Sequence, residues 1–202
     1  MRRTKEAAEQ TKLTLLDAAL RVFSRDGYAA ARLADIAAEA EVTRGAIYHH
    51  FENKADLYVA LLKRAEAEQQ TVMQAAIEKG GSIADVTRRI MASSFEALAE
   101  RPTFRNVMSL SMFKVADSDE LSGVIEKRQE EAVTLIEGIA GMMAQGVAAG
   151  DFRADLDPRT AARAFIAYQQ GVMRLWLANP RAFAIDEEAE ALAGVYMRGI
   201  LA

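Results

Sequence analysis

Apolar residues recur at helical spacing along almost the whole chain. Leu13, Leu16, Leu20 and Phe23 fall three or four positions apart, with Lys12, Asp17 and Arg21 between them. That is the pattern of one buried face on an α-helix. Gly27 is placed to end this helix. No run alternates β-branched and polar residues with the period of two that a half-buried strand needs. The expected fold is therefore all-α, with about nine helices and no sheet.

Local start and stop signals divide the rest. Asn53 with Asp56 opens a long helix that runs to about Lys79, where Gly80-Gly81 closes it. Ser82 with Asp85 opens the next, closed near Arg101-Pro102, and a short apolar segment spans Thr103 to Val115. Asp117 with Glu120 reads as a capping box for a helix running to Gly150. Asp157 before Pro158 pairs an N-cap with proline at the first helical position. That helix ends at Asn179-Pro180, and Asp186 is expected to cap a last one reaching the C-terminus.

Residues 33–51, LADIAAEAEVTRGAIYHHF, form two short helices around a tight turn, the helix-turn-helix unit. Leu33, Ile36, Ala37 and Ala40 supply the apolar face of the first, and Ile47 and Phe51 that of the second, which Thr43 caps. The opposite face of the second helix presents Thr43, Arg44, Gly45, Tyr48 and His49. Arginine can read a guanine edge with two hydrogen bonds. Thr, Tyr and His can hold phosphates, and Gly45 with Ala46 permits close approach to a groove. His49 and His50 are adjacent, about 100° apart around a helix, so they cannot act as an i,i+4 metal pair. His50 reads as a packing residue, and Arg2, Arg3 and Lys5 as either a basic arm along DNA or a solvated tail.

The charge balance changes how this motif is read. The chain of 202 residues carries a net charge of −4. Residues 1–54 hold nine Lys/Arg against eight Asp/Glu, and residues 55–202 hold sixteen against twenty-one. Only a local cationic face can meet phosphate. The absence of cysteine excludes a disulfide scaffold, a thiolate zinc site, an iron–sulfur cluster and a cysteine nucleophile. No cofactor or metal is expected. The charged opening MRRTKEAAEQTK lacks a signal-peptide apolar region, and the longest uncharged stretch is the 13 residues Gly138 to Gly150, short of a membrane span. A cytoplasmic protein without a membrane partner is expected.

TRGAIYHHF followed by ENKADL resembles the TetR family of bacterial transcription regulators, and MRRTKEAAEQTKLTLLDAALRVFSRDGY resembles its AcrR-like multidrug-responsive branch. The likeness is strongest over residues 5–62 and extends to RAFIAYQQGVMRLWLANPRAF. It implies a homodimeric repressor on a palindromic double-stranded DNA operator. The expected domains are a three-helix DNA-binding domain, residues 1–53, and a helical effector-binding and dimerisation domain, residues 54–202. A small hydrophobic or cationic aromatic effector would release the operator, and control of an efflux pump would fit the branch. Position by position, the resemblance assigns DNA contact to Arg32, Thr43, Arg44, Gly45, Ala46, Tyr48, His49 and Lys54, with Arg32 and Lys54 on the backbone. Two positions depart from the family: Glu41 replaces the usual glycine of the turn, and Ala31 the usual Ser/Thr cap of the first motif helix.

The helix Thr160 to Ala178 is apolar on two sides, as expected of a helix buried on both. One side faces the domain interior and the other a second chain. With the last helix it forms an expected four-helix dimer interface containing Ala164, Tyr168, Gly171, Leu175, Leu192, Val195, Tyr196 and Gly199. With the resemblance, the candidate cavity wall is Phe95, Phe104, Met108, Met112, Phe113, Met142, Phe165, Gln169, Met173 and Trp176. Ordinary core packing is the alternative for each. Gln169 stands out as polar on an apolar stripe, because a buried amide needs partners. Glu66 falls within about 60° of Leu62 and Met73 on its helix, at an acidic cavity position of similar regulators. It is expected to face inward against a cation, or to form a rim salt bridge.

Two other classes compete. An α-helical enzyme lacks support: both histidines sit in the motif, no phosphate loop is present, and Glu130-Glu131 lie on a helix surface. An effector-independent DNA-binding protein would have little use for the acidic, Met-rich remainder.

Overall fold

In this computed structural model the described residues are 2–115 and 119–202, and they form nine α-helices. These are α1 Arg2–Asp26, α2 Leu33–Glu39, α3 Arg44–Tyr48, α4 Lys54–Glu78, α5 Ile83–Glu100, α6 Pro102–Phe113, α7 Ser122–Ala149, α8 Pro158–Ala178 and α9 Ala189–Met197, with a 3₁₀ turn Asp119–Leu121 before α7. Among the described residues, β-type pairing is confined to an isolated bridge between Phe152 and Leu201. The all-α expectation holds.

The helix ends follow their local chemistry. Gly27 takes φ 78°, a conformation open to glycine at little cost, and its N–H bonds to Phe23 O at 2.9 Å to close α1. Ser82 Oγ accepts the Asp85 N–H at 3.1 Å and the Asp85 carboxylate accepts the Ser82 N–H at 3.3 Å, completing the capping box of α5. Asp157 accepts the Thr160 N–H at 2.8 Å, with Pro158 opening α8. Both carboxyls are held below their usual range by these hydrogen bonds. Two expectations need correction. Asp186 makes no side-chain cap: its carbonyl accepts the Ala189 N–H at 3.3 Å, and α9 starts behind the uncapped Glu188 and ends at Met197, before the C-terminus. The capping box placed at Asp117 lies outside the described residues.

The chain packs as two compact units, Met1–Glu66 with Asn106–Val124, and Ala67–Arg105 with Ile125–Ala202. The expected boundary after residue 53 falls inside the first unit, because α4 begins there and buries Leu57, Tyr58, Leu61 and Leu62. In the first unit α1 contributes Leu15, Leu16, Leu20, Val22 and Phe23 to the core. Arg64 of α4 pairs with Asp17 of α1 at 2.6 Å, and Arg21 of α1 with Glu39 of α2 at 2.6 Å.

The second unit is built around α5, which buries Ile90, Met91, Phe95 and Leu98. Asp151 accepts the N–H groups of Ile83 and Ala84, at 2.7 and 3.4 Å, fastening the start of α5 to the loop after α7. Gly146 of α7 lies under Phe152 so closely that a Cβ there would fall 2.3 Å from the ring. By length and composition alone α7 is apolar enough to cross a membrane, which the longest uncharged stretch did not show. Residues 132–149 carry one charge, Glu137. That carboxylate pairs with Arg159, and the helix buries Ala140, Met143 and Gly146.

Candidate nucleic-acid interface

The turn between α2 and α3 sets the angle of the motif. Ala40 ends α2, and Glu41 follows at φ 56°. The Val42 N–H bonds to Ala37 O at 3.0 Å and the Glu41 N–H to Ala38 O at 3.1 Å. This is the paired closure of a Schellman motif, which favours glycine at the left-handed position. Among the described residues Glu41 is the one non-glycine with positive φ, a conformation that costs a non-glycine residue about 1 kcal/mol. The cap of α2 differs from expectation. Arg32 occupies the N-cap position without a side-chain bond, while Ala31 is buried beside it.

Thr43 caps α3, its hydroxyl oxygen accepting the Ala46 N–H at 3.3 Å. Ile47 is fully buried, as are Ile36 of α2 and Phe23 of α1, and this fixes which side of α3 faces the core. The opposite side is open. Thr43, Arg44, Gly45 and His49 are exposed, Tyr48 is 52% exposed and Ala46 is half-buried. Arg32 is exposed at the start of α2. The five-residue α3 thus displays a guanidinium, a phenol, an imidazole and a bare backbone on one face. An open hollow of about 480 Å³ continues from it, lined by Tyr48, His49, His50, Phe51, Glu52 and Asp56. His50 is half-buried with its ring 6.4 Å from that of Phe51, in keeping with packing. Among the described residues no three His, Asp or Glu side chains are grouped to hold a metal.

Lys54 is engaged within the fold. Its side chain is only 16% exposed. The ammonium lies 3.4 Å from Ala31 O, 3.5 Å from Ala29 O and 3.5 Å from the Glu120 carboxylate, over the Tyr28 ring at 4.4 Å from its centre. The cation is occupied within the fold, joining α4 to the loop that leads into α2.

The effector candidates separate between the units. Phe95, Phe104, Met142, Phe165, Gln169, Met173 and Trp176 belong to the second unit, and Glu66, Met108, Met112 and Phe113 to the first. Phe95, Phe104, Phe165, Met173 and Trp176 are buried, whereas Met108, Met112, Met142 and Gln169 are half-buried. Two of the candidates lie at the surface. Phe113, at the end of α6, is 42% exposed. Glu66 is exposed while Glu68, expected on the far side, is half-buried. The buried stripe of α4 runs through Leu61, Ala65, Val72 and Ala76, which places Glu66 about 100° from its centre. Gln69 lies on that stripe and bonds to the buried Ser94 at 2.7 Å. Sequence reasoning passed over it, although it carries the signal that singled out Gln169, a polar residue among apolar neighbours.

The proposed dimer residues also differ in exposure. Ala164, Gly171 and Gly199 are exposed, Leu175 is 68% and Val195 51% exposed, and Tyr168 and Leu192 are half-buried. Tyr196 does not belong with them. It is buried, packs edge-on against Phe165 at 5.5 Å, and donates its hydroxyl to Ala161 O at 2.7 Å. Burial pushes its phenol up to about 12.

Known proteins share this arrangement. Residues 15–61 match the bacterial regulatory proteins of the tetR family, and residues 84–201 match the MAATS-type transcriptional repressor C-terminal region. Over 181 residues the chain is 34% identical to the HTH-type transcriptional regulator TtgR of Pseudomonas putida, covering 89% of this chain and 86% of that one. It is 30% identical over 199 residues to the HTH-type transcriptional regulator AcrR of Shigella flexneri, covering 97% and 92%. The crystal structure of NalD, the secondary repressor of the MexAB-OprM multidrug efflux pump in Pseudomonas aeruginosa, has a TM-score of 0.85 at 26% identity, covering 97% of this chain and 98% of that one. With an outward-facing α3 held over Ile47 and both halves of the chain matched, the protein belongs to the TetR family and is a DNA-binding transcriptional repressor.

Proposed function

We propose that this repressor acts in the cytoplasm as a homodimer on a palindromic operator and is released by a small apolar effector bound in the second unit. The observation that carries the dimer is the two-sided character of α8. Phe165, Val172, Met173 and Trp176 are buried on one side. On the other, Leu175 is 68% exposed and a Cβ on Gly171 would meet nothing within 4 Å. Exposed apolar surface of this kind marks an interface. Val195 of α9, 51% exposed, extends it. A dimer so formed would set two α3 helices about 34–36 Å apart, one turn of DNA, or a multiple of that.

The effector reading rests on the adaptable interior of the second unit, rich in Met and Phe, and on NalD and its relatives, which points to an efflux-pump operon as the target. Sedimentation with operator footprinting tests both parts. Wild-type protein should sediment as a dimer and protect two half-sites, and apolar aromatic compounds should release it. Leu175→Lys should sediment as a monomer and lose the footprint. A monomeric wild type, or a footprint indifferent to every compound, would favour an effector-independent DNA-binding protein.

A further inference from the structure

The helix-turn-helix carries little permanent positive charge for a surface that meets phosphate. Residues 32–56 hold three Lys/Arg (Arg32, Arg44 and Lys54) against five Asp/Glu (Asp35, Glu39, Glu41, Glu52 and Asp56). Lys54 is taken up by Ala31 O and the Glu120 carboxylate. On the helices packed against the motif, Arg21 and Arg25 of α1 pair with Glu39, Arg25 also with Asp26, and Arg64 of α4 with Asp17. Arg32 and Arg44 are the exposed guanidiniums of the motif itself. DNA presents one negative charge for about every 1.7 Å of its axis, so a further cation on this face has a direct effect on affinity.

Both histidines of the chain lie on this face. His49 and His50 line the hollow beside α3 together with Tyr48, Phe51, Glu52 and Asp56, and its lining includes no Lys or Arg. His49 is exposed, whereas His50 is half-buried with its ring beside that of Phe51. The Asp56 carboxylate is held in place: it accepts the Glu52 N–H at 3.0 Å, while the Asp56 N–H donates to Asn53 Oδ1 at 2.9 Å. With neutral imidazoles the hollow turns only the charges of Glu52 and Asp56 toward an approaching phosphate. An imidazolium there offsets them. Imidazole is the side chain that changes charge between pH 5 and 8, and two such charges per protomer would cancel the acidic excess of residues 32–56.

We propose that His49 meets the DNA backbone as an imidazolium, so that operator binding takes up a proton on each protomer and tightens as the pH falls from 8 to 6. This rests on the reading that the exposed side of α3 faces DNA. A phosphate favours the charged form of an imidazole it meets. By linkage, whatever the DNA does for the proton the proton does equally for the DNA. His49 is the group assigned to this role because it is exposed beside Tyr48 and Arg44, while His50 is packed against Phe51. The repressor would thus hold its operator with a strength set in part by the pH around it.

The test uses the full-length protein and a duplex selected by it from random-sequence DNA, with affinity measured at pH 6, 7 and 8 at fixed ionic strength. The wild-type dissociation constant should rise about tenfold from pH 6 to pH 8. The salt dependence should be steeper at pH 6, by about one unit per half-site. Calorimetry in buffers of different ionisation enthalpy should show net proton uptake on binding at pH 7. His49→Arg, which carries a permanent cation, should bind tightly at pH 8 and lose the pH dependence. His49→Gln should keep the weaker pH 8 affinity throughout, and His50→Gln should retain the wild-type pH dependence. Wild-type affinity that is level from pH 6 to 8, or proton release on binding, would overturn the proposal. So would a pH dependence that survives in His49→Gln, which would assign it to His50 or the α-amino group, or one that disappears in His50→Gln alone. Sequence-specific but pH-independent binding overturns this proposal and leaves the α3 reading standing. Binding that is indifferent to sequence at every pH overturns both.

Discussion

The Lys54 ammonium lies 3.4 Å from the carbonyl oxygen of Ala31, the residue just before the N-cap of α2. This contact joins the first turn of α4 to the start of the DNA-binding motif. Ala29 O, the Glu120 carboxylate and the Tyr28 ring complete the surroundings of the cation. Tyr28 is itself packed between Phe23 and Tyr58, at ring distances of 5.4 and 5.5 Å. A lysine so engaged contributes to holding the first unit together.

Lys54→Met should therefore lower stability by about 1–3 kcal/mol, through lost charged hydrogen bonds and the cation–π contact. The salt dependence of operator binding should hardly change. Chemical denaturation and a salt titration of operator affinity measure the two effects. Unchanged stability with a salt slope reduced by about one unit would return Lys54 to the phosphate backbone.

Glu41 holds a left-handed conformation that glycine adopts freely. Glu41→Gly should stabilise the protein by about 1 kcal/mol, raising the thermal midpoint by about 2–4 °C. A lower midpoint would show that the Glu41 side chain contributes more than its backbone strain costs.

Gly45 tests the outer face of α3 without disturbing the core. A Cβ there would meet only Thr43 Oγ1, at 3.8 Å, and alanine favours a helix by about 1 kcal/mol over glycine. Gly45→Ala should thus leave the thermal midpoint equal or higher while weakening operator binding about tenfold, because the methyl group enters the space the DNA must fill. Undiminished operator affinity would mean that α3 does not approach the groove at this point.

The helix boundaries were legible where a signal and its target lie within a few residues. Ser82 with Asp85, Asp157 with Pro158, Gly27 and Thr43 all act on backbone groups within four positions of themselves. The α3 face was legible for the same reason, since Ile47 fixes the phase of a five-residue helix. What the sequence did not show depends on distant contacts. Lys54 meets Glu120 across a long stretch of chain. Tyr196 looked available for a partner chain until Ala161 O and Phe165 proved to hold it. Leu62 and Met73 suggest an inward phase for Glu66, whereas the buried stripe of α4 follows Leu61, Ala65, Val72 and Ala76 and leaves Glu66 at the rim, the alternative its position allows.

Stability should fall at both ends of the pH scale, for separate reasons. Asp85 and Asp157 are held below their ordinary value of 3.8 by the caps they form. Their contribution is present above that value and is lost as the pH falls through the lower folded values. Tyr196 is raised from 10 to about 12. Its contribution is full below pH 10 and lost as the pH rises toward about 12. Thermal midpoints across pH should fall less steeply at the acid end for Asp157→Asn. Tyr196→Phe should lose about 1 kcal/mol at neutral pH and fall less steeply at the alkaline end. Wild-type slopes in both variants would remove these groups from the account.

We propose that the exposed side of α3 reads operator DNA, with Arg44 as its guanine-reading donor. The most direct measurement is the affinity of Arg44→Ala for the operator and for a set of single-base variants of each half-site, at fixed salt. The account predicts a loss of about 1–3 kcal/mol on the operator and relaxed discrimination at one base position per half-site. Wild-type affinity with wild-type discrimination at every position would contradict it.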